Sequence, residues 1–183
     1  MKKPIAILTE IIKQNNIDLS FNIIEIGAVQ LTDAQEPFYE LLKYFPSCQI
    51  IGFELEKAVC ANMNANAKKG VKYYPYALGK ANEKRKLYIT QNPMCSSLYK
   101  PNEELIKLYN RFEVAYLKEE TEINTITLDH FIEQNKIGEI DFIKIDVQGA
   151  ELDVFQGGKK TLENVLKIVT EVEFIPHYID QPL

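Results

Sequence analysis

The residues with most chemical potential stand together in Phe142-Ile143-Lys144-Ile145-Asp146-Val147-Gln148-Gly149-Ala150-Glu151. Residues two apart in a strand point the same way, so Lys144, Asp146 and Gln148 share one face. The run 142–147 is otherwise apolar and β-prone, the pattern of a strand covered on both faces inside a parallel sheet. Charges buried there without partners are costly. The low-cost position is the carboxyl end of the strand, where an open α/β sheet has its crevice. In that crevice Asp146 is the first candidate for a general base or for orienting an acceptor hydroxyl, with Lys144 holding its charge. A plainer reading pairs Lys144 with Asp146 at the sheet rim. Gly149 and Glu151 follow as the turn into a helix, and Glu151 and Glu171 are further candidate carboxylates. His177 is another possible base, although a histidine near a chain end is commonly just exposed. His130 falls in a predicted helix and reads as structural. Ser97 sits in a polar loop and is a possible acceptor contact.

A second group marks a nucleoside-type ligand. Glu25-Ile26-Gly27-Ala28 forms a strand-to-helix turn, and Glu54 ends the next strand. An acidic residue at that second position is how doubly wound folds hold the two hydroxyls of a ribose. Gly27 permits close backbone approach to a ligand. A dinucleotide site needs a G-x-G-x-x-G turn whose amides reach pyrophosphate, yet residues 28–51 contain no glycine. That disfavours a nicotinamide-dependent oxidoreductase. The acidic Glu25 repels phosphate and suits a cation. S-adenosylmethionine carries a sulfonium and an ammonium and no phosphate, so it fits this lining.

Around these groups the chain reads as an α/β doubly wound, mostly parallel sheet. Helix is predicted at 5–13, strand at 22–27, and a helix capped by Thr32 or Asp33 that carries Phe38, Leu41, Leu42 and Phe45. Strand follows at 49–54, helix at 56–69 closed by Gly70, and strand at 71–78. The segment 80–127 breaks this rhythm as inserted strands and loop: strand 86–90, a polar loop 91–102, helix 103–112, and strands 114–117 and 122–127. Thr127 caps a helix at 128–134. After the central strand come helical turns at 151–155 and 161–165, split by Gly157-Gly158, and a fifth parallel strand at 167–174. One or two closing strands would normally follow, so a chain stopping at Leu183 predicts a minimal or truncated sheet.

The 183 residues suit a single domain, 1–183, whose first 20 form a helical segment. No apolar run of about 18 residues occurs, so no membrane span is expected. The net charge of −5 argues against a nucleic-acid partner. Cys48, Cys60 and Cys95 are odd in number and show no CxxC spacing, which fits a reducing cytoplasm and indicates no zinc site. No spacing demands another metal, although Asp146, Glu151 and Glu171 could converge on a divalent ion. The unpaired edge of the fifth strand invites dimerisation or aggregation, which makes a homodimer possible.

Residues 22–178 resemble the FkbM-type methyltransferases, a branch of the class I S-adenosylmethionine-dependent, Rossmann-like fold. The resemblance is carried by Leu128-Asp129, the block Ile140 to Glu151, Val154, Gly157-Gly158 and Glu171, and less strongly by Phe53-Glu54, Ala77-Leu78-Gly79 and Ser96-Ser97-Leu98. By position it implies Glu25, Gly27 and Ala28 at the methionine end of the cofactor, Glu54 at the ribose, Ala77 and Leu78 at the adenine, and Asp146 facing the methyl group, with Leu55 a further cofactor contact. It implies O-methylation of a small-molecule or glycan acceptor: a sugar, glycolipid or secondary metabolite. The first turn departs from the family's D-x-G-A-N-x-G, reading Glu25-Ile26-Gly27-Ala28-Val29-Gln30-Leu31, and Leu55 stands where a proline is common. Those departures leave open a second reading, a binding or assembly module that keeps the fold without catalysis.

Overall fold

A computed structural model describes residues 3–28 and 36–182. The predicted caps Thr32 and Asp33 lie outside the described residues. In chain order the elements are α1 (Pro4–Gln14), β1 (Asn22–Ile26), a 3-10 turn Pro37–Glu40 running into α2 (Leu41–Tyr44), β2 (Gln49–Phe53), α3 (Lys57–Ala65), β3 (Val71–Tyr74) and β4 (Ala77–Leu78). They continue with β5 (Glu83–Thr90), α4 (Glu103–Ile106), β6 (Leu117–Ile126), α5 (Leu128–Gln134), β7 (Phe142–Ile145), α6 (Glu151–Gly157), α7 (Lys159–Leu162) and β8 (Lys167–Thr170). Five strands form one sheet in the order β3-β2-β1-β7-β8, every neighbouring pair parallel. The strand order reverses beside β1, which is where such sheets open a crevice.

Both faces of this sheet are covered, as the apolar β-branched runs require. Ile24, Ile26, Ile51, Phe53, Ile143 and Ile145 pack on one face against Leu128 and Phe131 of α5 and Val154 of α6. Ile23 and Ile50 pack on the other against Tyr39 and the half-buried Phe38, Leu41 and Leu42. Each fully buried isoleucine contributes roughly 1.5–3 kcal/mol. Two matched motif residues prove to be local staples. Asp141 accepts from the Asn22 amide at 2.8 Å, tying the start of β1 to β7. Asp129 accepts from the amides of Lys160 and Thr161 at 3.0 and 2.8 Å, capping α7 from α5.

Several predicted elements need correction. The strand at 71–78 is two strands in different sheets, because Pro75 lacks the amide that would continue the ladder. The helix predicted to run to residue 69 stops at Ala65. Asn64 folds back on Tyr73, accepting from its amide at 2.9 Å and donating to its carbonyl at 2.8 Å, so the side chain competes with helix continuation. Gly70, at φ +89°, forms the turn into β3 and is not a helix cap. Helix 103–112 is only the single turn of α4. The strands expected at 114–117 and 122–127 are one strand, β6, preceded by a 3-10 turn Glu113–Ala115. Its acid run is made strand-compatible by Lys86 across the ladder, which lies opposite Glu122 and pairs diagonally with Glu120 at 2.8 Å. β6 lies between β4 and β5 in a second, three-stranded sheet. Arg85 of β5 fastens that sheet to α6, meeting the buried Asp153 carboxylate at 3.0 Å, to which Tyr99 also donates at 3.1 Å.

Candidate functional site

The register of the parallel sheet brings the predicted carboxylates to one end. Glu25 of β1 lies between Gly52 of β2 and Lys144 of β7. Two residues beyond those neighbours come Glu54 and Asp146. Glu54, Glu25 and Asp146 therefore stand at the carboxyl ends of three adjacent strands, on the face that also carries Tyr39.

Glu25 is 2% exposed, and its carboxylate accepts from the Tyr39 hydroxyl at 2.6 Å. Tyr39 in turn lies 2.8 Å from the Tyr73 hydroxyl, which must donate because Tyr39 has spent its proton on Glu25. Tyr73 reaches this position only because residue 52 is glycine. A Cβ there would stand 2.3 Å from the tyrosine ring. Burial pushes the Glu25 carboxyl up to about 7, against the opposing pull of the Tyr39 hydrogen bond and the Lys144 charge. Tyr39, Tyr73 and Gly52 were not singled out in the sequence. A glycine inside the apolar strand Ile50-Ile51-Gly52-Phe53 was the one available signal, since it marks close approach; nothing local announces the tyrosine pair.

On β7, Lys144 Nζ lies 3.4 Å from Asp146 Oδ2 and 3.9 Å from Glu36 Oε1, with the lysine side chain 16% exposed. The plainer pairing of Lys144 with Asp146 is thus present, and it sits at the crevice end of the strand. Gln148 does not continue the strand. It turns left-handed at φ +56° and its amide nitrogen donates to Asp146 Oδ1 at 2.9 Å. Both Asp146 oxygens are consequently oriented. Glu171 is exposed, and the charge of Asp146, then partial burial and Glu173, hold its carboxyl above the usual range.

Glu54 is buried and spends Oε1 on the Glu56 amide at 2.7 Å. Desolvation raises its pKa, opposed by that hydrogen bond. Leu55 is half-buried in the bend that follows. Ala28 is buried against Cys60 and Tyr73. Gly27 has φ +77°, and a Cβ on it would stand 1.9 Å from the Asp146 carbonyl oxygen. The close approach that Gly27 makes in the described structure is therefore to the neighbouring strand. Ala77 and Leu78 form β4 in the second sheet, Leu78 joining the main core.

The remaining candidates have structural partners. Glu151 accepts from the Val147 amide at 3.0 Å and so braces the turn after Asp146; burial raises its pKa. Ser97 is buried, donating to the Gln148 carbonyl at 2.6 Å and accepting from the Tyr99 amide at 3.1 Å, so its hydroxyl is committed to the fold and not open to an acceptor. Tyr178 closes this corner: its hydroxyl donates to the Cys95 carbonyl at 2.8 Å, with Gln148 Oε1 a second acceptor at 3.2 Å. His177 is half-buried beside Tyr109 and Phe112, 3.8 Å from Glu173. His130 is exposed at the start of α5, its amide capped by Thr127 at 3.1 Å. Among the described residues no three His, Cys, Asp or Glu side chains come together as a metal site, so Asp146, Glu151 and Glu171 do not form one. None of the described helices is long and apolar enough to cross a membrane.

The parallel order β3-β2-β1-β7-β8 with helices on both faces is the Rossmann-like arrangement of class I methyltransferases. No curated protein and no solved structure matches the chain. A family model described as the methyltransferase FkbM domain matches residues 12–183. That match covers nearly the whole sequence, the strand-end carboxylates included, and the chain belongs to the FkbM methyltransferase domain family.

Proposed function

We propose that this chain is an S-adenosylmethionine-dependent methyltransferase acting on a hydroxyl of a sugar, glycolipid or secondary metabolite. One observation carries the reading: three adjacent parallel strands end in Glu54, Glu25 and Asp146, an acid lining with no glycine-rich turn for phosphate. Such a lining suits a sulfonium, an ammonium and a ribose diol. Glu54, one oxygen already held by the Glu56 amide, has its other oxygen for a ribose hydroxyl. Leu55, Ala77 and Leu78 are assigned to the nucleoside, and Glu25, Gly27 and Ala28 to the methionine end.

The bound cofactor supplies a methyl group on a cationic sulfur, ready for in-line displacement. The residues of the chain align the acceptor hydroxyl and take its proton. Alignment of this kind is worth up to roughly 7–11 kcal/mol. Asp146 Oδ2 accepts the hydroxyl proton, while Lys144 pairs with that oxygen at 3.4 Å and Gln148 fixes the other. Glu151 acts indirectly, by holding the Val147 amide and with it the turn that carries Asp146. The setting proposed is the cytoplasm, a reading supported by the free thiols of Cys48, Cys60 and Cys95.

The burial of Glu25 and Ala28, with the altered first turn, favours one other reading, a non-catalytic binding or assembly module. Isothermal titration with S-adenosylmethionine, S-adenosylhomocysteine and NAD separates the two. Binding of the first two alone supports the transferase; binding of none supports the module.

A further inference from the structure

We propose that Tyr39 is a positioning residue of the cofactor site: backed by Tyr73, its hydroxyl holds the Glu25 carboxylate off Lys144 and keeps that charge for the ammonium group of the cofactor. This role rests on the assignment of Glu25 to the methionine end, and it adds what keeps the acid available to a ligand.

Glu25 and Lys144 are direct neighbours on adjacent parallel strands, so their side chains leave the sheet on one face. Opposite charges so placed ordinarily pair. A pair with Lys144 would cancel the charge that a cationic ligand needs. Among the described residues, however, the ion pairs of Lys144 run to Asp146 at 3.4 Å and to Glu36 at 3.9 Å, and not to Glu25. Glu25 turns instead to the Tyr39 hydroxyl, 2.6 Å away.

The hydroxyl is built to hold still. The Tyr39 ring is buried with Ile23 and Ile50, and Phe38 stacks on it with ring centres 5.1 Å apart. Tyr73 donates to its oxygen at 2.8 Å, so two hydroxyls stand in series and each bond polarises the next. Burial, and for Tyr39 the Glu25 charge as well, push both phenol pKa values up, so both remain protonated donors. A neutral donor fixes a carboxylate without cancelling its charge, which a lysine cannot do. Packing alone does not call for this trio. Apolar side chains of the same shape would fill the space at nearly equal stability, and the burial that pushes the Glu25 carboxyl up to about 7 works against the fold. An acid kept there at such a cost, and turned from the nearest cation, is reserved for a ligand.

Titration calorimetry with two ligands tests this: S-adenosylhomocysteine, and 5′-methylthioadenosine, which keeps the nucleoside and lacks the amino-acid end. Tyr39→Phe should weaken S-adenosylhomocysteine by about tenfold to a hundredfold, the worth of a hydrogen bond to a charged group. Affinity for 5′-methylthioadenosine should not change, whereas structural damage would weaken both. In a Glu25→Gln background Tyr39→Phe should cost no further affinity, because its effect passes through that carboxylate. Tyr73→Phe leaves the first hydroxyl in place and should give a smaller loss, again for S-adenosylhomocysteine alone. Far-UV circular dichroism checks folding, and where Tyr39→Phe does not fold, Tyr73→Phe carries the test by the same ligand pattern. Equal weakening of both nucleosides, no weakening of either, or a loss that persists in Glu25→Gln overturns the proposal and leaves the cofactor reading standing. Wild-type protein that binds neither nucleoside overturns the cofactor reading itself, and this role with it.

Discussion

Replacing Glu25 by glutamine should stabilise the protein above neutral pH and leave it nearly unchanged in mild acid. Glutamine keeps an oxygen for the Tyr39 hydroxyl and removes the ionisation. In the folded protein burial holds the carboxyl near 7, against an ordinary 4.5. Each tenfold difference in proton affinity is worth about 1.4 kcal/mol, so the full penalty on the ionised, buried group is about 3 kcal/mol. Its folded pKa is raised, so the unfolded chain ionises first as the pH climbs. Wild-type stability therefore drains away between about 4.5 and 7 and is level above, while Glu25→Gln escapes this loss. Urea unfolding of both proteins at pH 5, 6, 7 and 8 should show the gap between them widening by about 2 kcal/mol in favour of the variant. In thermal melts the same gap is roughly 4–8 °C for a chain of this length. The pH dependence of the other carboxylates cancels in the difference. A gap that stays constant with pH, or that favours wild type at pH 8, refutes a buried, reluctantly ionised Glu25.

Other consequences are more local. A cation bound beside Glu25 favours its ionised form, so affinity for S-adenosylmethionine should rise between pH 6 and 8 in wild type and stay flat in Glu25→Gln, as read by titration calorimetry. Asp146→Asn should lower kcat on an accepted substrate by about 10²–10⁴ while S-adenosylhomocysteine still binds. Arg85→Ala strands the buried Asp153 carboxylate and should cost about 3 kcal/mol, with faster amide exchange across β5 and β6 by hydrogen–deuterium exchange. Gly27→Ala combines a positive φ with a clash on the Asp146 carbonyl, and should destabilise by at least about 2 kcal/mol in denaturant titration.

The parts of the fold that the sequence discloses are those fixed by local pattern. Runs such as Ile23-Ile24 and Ile50-Ile51 alternate little because both faces are covered, and they show as central strands. Thr127 reads as a cap because its hydroxyl reaches an amide three residues on. What stays hidden depends on partners far along the chain. The acid run Glu119-Glu120-Thr121-Glu122 reads as a break until β5 sets Lys86 across from it. The site divides in the same way. Glu25, Glu54 and Asp146 can be found from strand ends alone, whereas the tyrosines that govern Glu25 come from a 3-10 turn and from β3. Gln148, visible in the motif, gains its role only from a left-handed turn that returns its amide to Asp146. Gly27 can be identified as a close approach, but only the packed sheet reveals that the approaching atom is the backbone of Asp146.

A crystal structure with S-adenosylhomocysteine bound is the most direct measurement. The ribose hydroxyls should lie on the Glu54 carboxylate, the amino-acid end over Gly27 near Glu25, and the sulfur should turn toward Asp146. A ligand seated away from the ends of β1, β2 and β7, or a ribose that leaves Glu54 untouched, contradicts this placement.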